Sequence, residues 1–309
     1  MKVLLTGASG FIGSHLLPQL LLKGHKVCAL YFKNKVNIAG IESQRVDITK
    51  KEDVERVLNY FAPQAVIHLA AQPFVPEAEK DFQHTLNLNV LATANICDLL
   101  LKNKIKAKFI YISSGEVYGK VSEDALPITE EQECKPVNNY ALSKVMAEFV
   151  VKKYCLLSNN QVVIFRPFNQ IGPGQSARFV TASFAKQLAE VALGKREPVI
   201  KVGNLSPKRD FMDVRDSVTA YEAALETGEG IYNLASGRST AIKDILNLLI
   251  AISGVNVEVV EDPALFRRVD LPRVEGSYKK AERDFGWKPV VPLEQSLRDL
   301  YNYWKEQVR

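Results

Sequence analysis

The sequence predicts an α/β protein with a doubly wound parallel sheet and a smaller, mostly helical region toward the carboxyl end. Three observations support this fold class. The stretch TGASGFIGSHL (6–16) places glycines at a spacing of three between an apolar run and a helical pattern. Apolar runs of strand length then alternate with segments of helix length, as in parallel sheets covered on both faces. The alternation fades in the Gly- and Pro-rich segment PFNQIGPGQSARF (167–179).

The first predicted unit is a strand, a helix and a second strand. Residues 2–5 form a short apolar run, residues 11–23 have a helical pattern, and KVCALYF (26–32) has the composition of a strand. Pro18 stands inside the predicted helix. Because proline has no backbone N–H and its ring crowds the preceding turn, we expect a kink or a missing hydrogen bond there.

The alternation continues with three more strands and two helices. The predicted strands are QAVIHLA (64–70), KFIYISS (108–114) and QVVIFRP (161–167), and the predicted helices cover residues 85–103 and 140–154. Strands and helices of these lengths imply parallel strands joined by helical crossovers.

Beyond the Gly- and Pro-rich segment, the chain is expected to return to the sheet. Residues 216–226 are predicted as a helix and GIYNLA (230–235) as a strand, followed by a mostly helical end from residue 240. We therefore predict a sheet domain of residues 1–168 and 211–236. A second, discontinuous domain would consist of residues 169–210 and 237–309.

Composition excludes several classes of protein. With 309 residues, 47% of them hydrophobic and 24% charged, the chain is predicted to be globular rather than disordered or fibrous. The formal net charge is +5, but lysines and arginines are spread along the chain without a polybasic block. No nucleic-acid partner is therefore expected, although a local anionic ligand would suit the positive charge.

Cysteine and histidine spacing predicts no metal site. The four cysteines (28, 97, 134 and 155) form no CxxC pair, so we expect reduced thiols. The four histidines (15, 25, 68 and 84) show no paired metal spacing, and satisfied or solvent-facing rings are expected. The amino end is too short in its apolar part for a signal peptide, and no uncharged apolar run approaches the ~18 residues of a membrane span. We expect a soluble cytoplasmic protein with no membrane partner.

The glycine-rich loop has the pattern of a phosphate-binding turn. A strand, a glycine turn and a helix bring backbone N–H groups and a helix N-terminus to one point, which suits a pyrophosphate. Glycine at Gly7, Gly10 and Gly13 would allow the pyrophosphate to approach the backbone closely, because a Cβ atom would block that approach. An ordinary glycine turn remains the alternative.

The end of the second predicted strand bears on the cofactor. In ALYFKNK, Tyr31 stands where a ribose-binding carboxylate would indicate NAD, and Lys33 and Lys35 follow. Lysines can pair with a 2′-phosphate, so NADP(H) is favoured and NAD(H) remains possible. The alternative is that both lysines are ordinary surface residues.

The segment YALSK provides a candidate acid/base pair. It places Tyr140 and Lys144 at positions i and i+4 of a predicted helix, on one face. A nearby cation lowers the pKa of a phenol from about 10 and makes it a usable general acid or base. An exposed helix pair without chemistry would show the same spacing.

Three further motifs accompany the glycine loop and YALSK: HLAA (68–71), NVLAT (89–93) and SSGEVYG (113–119). Together they resemble the extended short-chain dehydrogenase/reductase family across essentially the whole chain. The resemblance implies a Rossmann domain for NADP, a nucleotide-sugar-binding second domain and a triad of Ser114, Tyr140 and Lys144. Ser114 would hydrogen-bond the substrate oxygen and Tyr140 would exchange its proton. Lys144 would hold the cofactor ribose and lower the tyrosine pKa, and the nicotinamide would carry the hydride.

The same resemblance implies further cofactor contacts. Asp47 and Ile48 would approach adenine and Ala70 would lie along the cofactor, whereas Asn89 is expected to be mainly structural. The full expected cofactor set is Gly7, Gly10, Phe11, Ile12, Gly13, Tyr31, Lys33, Asp47, Ile48, Leu69, Ala70, Ala71, Asn89, Ile112, Ser113, Tyr140, Lys144 and Pro167.

The carboxyl half resembles the family's nucleotide-sugar segments in RPFNQIGPGQ (166–175), VGNLSPKRDFMDVRD (202–216), RRVDLP (267–272) and FGWKP (285–289). Arginines offer forked positive charge for a diphosphate. Val202 to Asn204 would contact the base through backbone groups. The full expected substrate set is Gln72, Ser114, Glu116, Asn169, Arg178, Val202, Asn204, Arg209, Arg267 and Asp270. Solvated arginines in loops are the alternative for Arg209 and Arg267.

Within the family, the stretches from FNQIGPGQ to KRDFMDVRD are most similar to GDP-6-deoxy-D-mannose reductases. This similarity implies NADPH-dependent reduction of the C4 ketone of GDP-4-dehydro-6-deoxy-D-mannose, with Tyr140 protonating the alkoxide. It also implies a GDP-sugar partner and a homodimer formed through the Tyr/Lys helix and its neighbour. No motif spacing in the sequence predicts the C4 stereochemistry of the product, which could be rhamnose or 6-deoxy-talose.

Two rival functions remain open at this point. Glu116 stands where 4,6-dehydratases carry a catalytic base, but the same reductases can carry a glutamate there, so it does not separate the two interpretations. The first rival is therefore a nucleotide-sugar 4-epimerase or 4,6-dehydratase on the same fold. The second is a non-catalytic dinucleotide-sensing protein, which the presence of Ser114, Tyr140 and Lys144 disfavours.

Overall fold

The computed structural model describes residues 1–266 and 270–309 of the chain. The strands are β1 (Lys2–Thr6), β2 (Lys26–Tyr31), β3 (Glu42–Arg45), β4 (Ala65–His68), β5 (Lys108–Ile112), β6 (Val162–Pro167), β7 (Asn169–Ile171), β8 (Val199–Val202), β9 (Lys208–Asp213), β10 (Gly230–Leu234), β11 (Ser239–Ala241) and β12 (Glu258–Glu261). The α-helices are α1 (Phe11–Leu22), α2 (Lys51–Phe61), α3 (Val75–Lys80), α4 (Phe82–Leu86), α5 (Ala92–Lys102), α6 (Asn139–Ser158), α7 (Val180–Ala192), α8 (Val214–Ala223), α9 (Ile242–Ser253), α10 (Lys279–Phe285) and α11 (Leu293–Gln307).

Seven strands form one parallel sheet in the order β3-β2-β1-β4-β5-β6-β10. The chain runs outward from β1 through β2 and β3 and then crosses to β4 on the other side of β1. Connections that leave neighbouring strands in opposite directions open a crevice at the carboxyl ends of those strands. The predicted doubly wound parallel sheet is confirmed, and the order reverses beside the glycine loop.

Helices cover both faces of this sheet. Successive strand residues point to opposite faces, so Leu4 joins the apolar layer under α2, α5 and α6, whereas Val3 and Leu5 join the layer under α1 and α8. Strands buried on both faces explain why the predicted strand segments are continuously apolar rather than alternating.

Pro18 does not end the first helix. Helix α1 runs through it from Phe11 to Leu22, with Leu16, Leu17 and Leu20 buried against the sheet. The missing N–H removes the helix donor for the carbonyl of Ser14, four residues earlier. Both Ser14 and Pro18 are exposed, so water can satisfy that carbonyl.

The helix predicted over residues 85–103 is confirmed over nearly its whole span, but its middle turn is π-helical. Helix α4 ends at Leu86, a π-helical turn follows over Asn87–Leu91, and α5 begins at Ala92. Asn89, in that turn, accepts from the backbone N–H of Gln72 at 2.8 Å and donates to the carbonyl of Gln72 at 3.1 Å. Hydrogen bonds to a distant loop thus accompany a π turn that the apolar periodicity of the segment does not reveal.

The second region has its own apolar core, in which α7, α9 and α11 pack around Phe184, Leu188, Leu246, Leu249 and Leu297. It also contains a three-stranded sheet, β11-β9-β7, and a two-stranded sheet, β12-β8. The strand expected from GIYNLA is confirmed as β10, which pairs with β6 at the edge of the main sheet. The domain boundaries themselves stay predictions.

Candidate active site

The glycine turn after β1 packs directly against the residues that follow β4. Gly7 has φ +69°, and a Cβ atom on it would lie 2.8 Å from the backbone nitrogen of Ala70. A Cβ on Gly13 would lie 2.5 Å from the carbonyl oxygens of Gly7 and Ala8. Both positions therefore require glycine, because backbone atoms cannot give way as a flexible side chain can.

This turn has the properties of a pyrophosphate cradle. Gly10 precedes α1 and donates its N–H to Gly7 at 3.0 Å, and in the described chain no side chain caps the helix at this end. The first turn of α1 carries no acidic residue. Free N–H groups and the positive end of the helix dipole are what an anionic group requires, so the residues present fit a dinucleotide.

The ends of β2 and β3 form the adjoining part of the crevice. Tyr31 is half-buried at the end of β2 and Lys33 is exposed just beyond. Tyr31 lies opposite Arg45 of β3, and Nε of Arg45 donates to the carbonyl of Phe32 at 3.2 Å. Arg45 is a cation at this edge that the sequence reasoning missed. The sequence signal that could have identified Arg45 is a basic residue at the end of the third strand. That strand, β3, was not predicted.

The two residues expected near adenine differ in their surroundings. Ile48 is buried in the apolar layer of α2, whereas the Asp47 carboxylate accepts from the N–H and hydroxyl of Thr49 at 3.1 and 2.7 Å. The other expected cofactor residues lie at the start of α1 and at the carboxyl ends of β4, β5 and β6: Phe11, Ile12, Leu69, Ala71, Ile112, Ser113 and Pro167.

Ser114, Tyr140 and Lys144 come together where β5 ends against the first turns of α6. All three are buried. The Ser114 side chain is near enough to the Tyr140 phenol to lower its pKa. Nζ of Lys144 donates to the carbonyl of Ile112 at 2.6 Å and lies 4.7 Å from the centre of the Tyr111 ring. The arrangement unites a hydroxyl donor, a phenol and an amine in one buried site.

Burial dominates the protonation of this group. Burial is the main cause that raises the pKa of Tyr140 to about 12; Ser114 acts to lower this pKa and the Glu116 carboxylate acts to raise it. Burial also lowers the pKa of Lys144 to about 7, against the charge of Glu148. Desolvation of the phenolate sets the direction of the shift at Tyr140, and Lys144 is not among its causes, so the expected lowering of the tyrosine pKa by Lys144 stays a prediction. Tyr140 therefore keeps its proton at neutral pH.

Glu116 is beside the catalytic group but has its own partner. Its backbone N–H donates to the Ser114 hydroxyl at 3.2 Å, and its carboxylate accepts from the amide of Asn138 at 3.2 Å. Asn138 also caps α6 by accepting from the N–H of Ala141. The carboxylate is thus held at the entrance to the helix that carries Tyr140.

Several expected binding residues are engaged with other protein groups. Asn89 bonds Gln72 and donates to the Ser143 hydroxyl at 2.9 Å, consistent with a structural role. The buried Gln72 amide donates to Phe74 and Thr85. Arg178 pairs with Glu77 across the crevice rather than standing free.

Three expected substrate residues form one cluster. The buried Arg209 donates to a carboxylate oxygen of Asp270 at 2.5 Å and to the carbonyl of Leu271 at 2.6 Å. The other carboxylate oxygen of Asp270 accepts from the Asn204 amide at 3.3 Å. Val202 is buried at the end of β8, and Asn169 begins β7. Arg267, the second expected arginine, lies outside the described residues.

Two classes of site are not found in the part of the chain that the structure describes. Within residues 1–266 and 270–309, no three histidine, cysteine, aspartate or glutamate side chains group so as to hold a metal ion. The helices assigned there include none with both the length and the apolarity to cross a bilayer.

Comparison with known proteins adds independent evidence. The family model described as GDP-mannose 4,6 dehydratase matches residues 4–300. GDP-6-deoxy-D-mannose reductase of Pseudomonas aeruginosa is 39% identical over 310 residues, spanning 100% of this chain and 98% of the relative. The structure of RMD from Pseudomonas aeruginosa complexed with NADPH is 37% identical, with TM-score 0.89 and 99% of each chain covered. The Thermus thermophilus UDP-glucose 4-epimerase complex with NAD is 30% identical, with TM-score 0.90 and 99% of each chain covered.

The protonation of Lys144 predicts a pH-dependent stability. Its pKa is about 7 in the folded protein and about 10.4 in an unfolded chain, so the unfolded chain binds more protons between those values. The wild type should therefore become more stable relative to Lys144→Met as pH rises from 7 to 9, by about 1–2 kcal/mol. Urea unfolding of both proteins at pH 7, 8 and 9 measures this difference.

Lys106→Met is the matched control, because Lys106 is exposed. Its stability difference from the wild type should change little over the same pH range. Parallel pH curves for Lys144→Met and the wild type would show that the buried amine does not titrate near neutrality.

Proposed function

The chain belongs to the GDP-mannose 4,6-dehydratase family of extended short-chain dehydrogenases/reductases, and on this basis we propose that it is a nucleotide-sugar 4-ketoreductase using NADPH. The proposed substrate is GDP-4-dehydro-6-deoxy-D-mannose and the proposed product is GDP-6-deoxy-D-mannose, also called GDP-D-rhamnose. Support comes from the 39% identity, over the whole chain, to the reductase of Pseudomonas aeruginosa.

One arrangement in the site carries the proposed chemistry: the Ser114 hydroxyl, the Tyr140 phenol and the Lys144 amine are buried together. Reduction of a ketone needs a proton donor, and burial raises the pKa of Tyr140 to about 12. When bound, reduced nicotinamide supplies the hydride. The Ser114 hydroxyl donates to the C4 oxygen, and Tyr140 passes its proton to that oxygen as negative charge develops there. Lys144, one helical turn along α6, would hold the cofactor ribose.

The proposed cofactor is NADP(H), with NAD(H) possible. Gly7, Gly10 and Gly13 would hold the pyrophosphate through backbone N–H groups. The end of β2 offers Tyr31 and Lys33 in place of a carboxylate, and Arg45 adds a guanidinium beside them. Guanidinium and ammonium groups favour a 2′-phosphate. The names of the two similar structures include NADPH in one and NAD in the other.

The proposed site for the sugar nucleotide is the cluster of Arg209, Asp270 and Asn204. In this proposal the forked guanidinium of Arg209 binds the diphosphate. Asp270 and the carbonyl of Leu271 set the orientation of the guanidinium. The backbone from Val202 to Asn204 would contact the base. Arg267 and Asn169 are proposed to complete the contacts.

We further propose a homodimer formed through α5 and α6. Leu142, Met146 and Phe149 project from one face of α6 and are exposed, together with Leu91 before α5 and Leu157 at the end of α6. An exposed apolar patch of this kind on an otherwise polar surface is typical of a protein interface. The four cysteines are free, which suits the reducing cytoplasm as the proposed location.

A nucleotide-sugar 4-epimerase or 4,6-dehydratase is the second candidate. The 30% identity to an epimerase favours it. Such an enzyme would retain its cofactor and consume no NADPH overall. A non-catalytic dinucleotide sensor has less support, because Ser114, Tyr140 and Lys144 are all present and adjacent.

The reductase proposal predicts stoichiometric NADPH oxidation on addition of GDP-4-dehydro-6-deoxy-D-mannose. Tyr140→Phe keeps the ring but removes the proton donor, so kcat should fall roughly 10²- to 10⁴-fold. Tyr60→Phe, at an exposed tyrosine, is the matched control and should keep full activity. If the wild type oxidises neither NADPH nor NADH, the reductase proposal is contradicted and the epimerase or dehydratase is favoured.

The cradle predicts a specific effect of one methyl group. In Gly7→Ala the new Cβ would meet Ala70 at 2.8 Å at a φ that disfavours L side chains, so NADPH affinity should fall at least roughly tenfold. Gly24→Ala has a similar φ of +74° but nothing within 4 Å of its Cβ. Fluorescence titration with NADPH compares the two, and equal affinities would contradict the assignment of the cradle.

The dimer proposal predicts that Phe149→Glu yields a monomer in sedimentation equilibrium, because a carboxylate would be buried in an apolar interface. Leu22→Glu is the control, since Leu22 is still more exposed but lies on α1. A monomeric wild type, or an unchanged mass for Phe149→Glu, would contradict this interface.

A further inference from the structure

The imidazole of His68, at the end of β4, lies in a buried chain of hydrogen bonds outside the groups assigned above. The residue is 1% exposed. Its Nδ1 is 2.6 Å from the hydroxyl oxygen of Thr6, and its Nε2 is 3.0 Å from the hydroxyl oxygen of Thr93. Both threonines are fully buried. Water therefore cannot replace either bond without opening the core.

The direction of each bond follows from counting donors. The Thr93 hydroxyl donates its single proton to the carbonyl of Asn89 at 2.7 Å, so towards His68 it must accept. His68 therefore carries a proton on Nε2. The backbone N–H of Ala70 donates to the Thr6 hydroxyl oxygen at 3.2 Å, which leaves the Thr6 proton for Nδ1 of His68. One tautomer, neutral with hydrogen on Nε2, satisfies every group in this chain.

The surroundings keep the ring neutral. Burial and, to a smaller extent, the charge of Lys144 lower the pKa of His68 to about 3. The rings of Phe109 and Tyr111 lie beside it, with centroids 6.1 and 6.0 Å away. No carboxylate is among the causes of this pKa shift in the described structure, so the imidazolium form gains no compensating charge.

The two ends of this hydrogen-bond network lie at the glycine turn and at the first turn of α6. Thr6 immediately precedes Gly7, and Ala70 provides the backbone nitrogen against which Gly7 is packed. At the other end, Asn89 donates to the Ser143 hydroxyl, which donates to the carbonyl of Tyr140 at 2.7 Å. Hydrogen bonds, together with the covalent links within Asn89 and between Thr6 and Gly7, thus connect the glycine cradle through His68 to the first turn of α6.

Packing alone does not account for a histidine at this place. The ring contacts aromatic side chains, and an apolar residue of similar volume would fill the same space without burying two nitrogens that need partners. A purely structural histidine would affect the stability of the fold but not the binding of a cofactor in particular. The two roles therefore differ in what they predict for binding.

We propose that His68 is a positioning residue, which as the neutral Nε2–H tautomer holds the glycine cradle and Ala70 in register with the α6 turn that carries Tyr140. This inference rests on the proposed dinucleotide-dependent function of the same site. His68 touches neither hydride nor proton in the reaction, and it acts through Thr6 and Thr93.

The tautomer is measured on the wild-type protein, and a variant is needed only to assign the signal. Long-range ¹H–¹⁵N NMR should show one histidine with hydrogen on Nε2 and a bare Nδ1 at every pH from 5 to 9. His68→Gln, which removes that signal, assigns it. A hydrogen on Nδ1, or titration of this ring within that range, would overturn the proposal.

The positioning role is tested by NADPH titration of hydroxyl-deletion variants. Thr6→Val keeps the volume but removes the link to His68 and Ala70, so the Kd for NADPH should rise roughly tenfold. Thr6→Ser restores a hydroxyl and should bind within about twofold of the wild type. His68→Gln should weaken binding as Thr6→Val does.

Thr181→Val is the matched control, because Thr181 is equally buried and its hydroxyl donates to Gln175 at 2.8 Å in the second region. It should lower thermal stability without changing the Kd. An unchanged Kd in Thr6→Val and His68→Gln, with wild-type binding intact, would overturn this inference alone. A wild type that binds neither NADPH nor NADH would instead overturn the proposed function, and the inference with it.

Discussion

The close contact between the glycine turn after β1 and the residues after β4 is the constraint on which the rest of the site depends. Gly7 packs on the backbone of Ala70 with no room for a Cβ atom. The contact lies where the strand order of a parallel sheet reverses, so the neighbouring connections diverge and leave a crevice above it. This contact lies next to the N-terminus of α1. The end of β5 and the first turn of α6 form the other side of the same site.

Desolvation is the second organising effect, and it acts on the ionisable groups in one direction. It raises the pKa of the Tyr140 phenol and lowers the pKa of the Lys144 amine and of the His68 imidazole, so the interior favours the neutral forms. A charge that remains inside is paired: Glu148, one turn beyond Lys144, is held by Arg166 at 2.9 and 2.7 Å. A buried phenol that keeps its proton suits proton donation to an alkoxide better than proton abstraction.

The residues expected to bind a substrate follow a different principle, because their charges are held by contacts that are distant in sequence. Arg209 and Asp270 are paired across 61 residues, and Glu77 and Arg178 across 101. If the proposed sugar diphosphate binds at Arg209, it would have to compete with the Asp270 carboxylate for the guanidinium.

By itself, the sequence determined the parallel sheet, the glycine loop and the adjacency of Tyr140 and Lys144, because local periodicity and short spacings carry that information. It did not reveal the π turn at Asn89, the cation of Arg45 beside β2 or the direction of the pKa shift at Tyr140. Each of these is decided by contacts between segments far apart in the chain: Asn89 with Gln72, β3 with β2, and the burial of α6 against β5. Burial and strand register are properties of the packed chain, so only the tertiary structure could decide which groups are desolvated and which are charged.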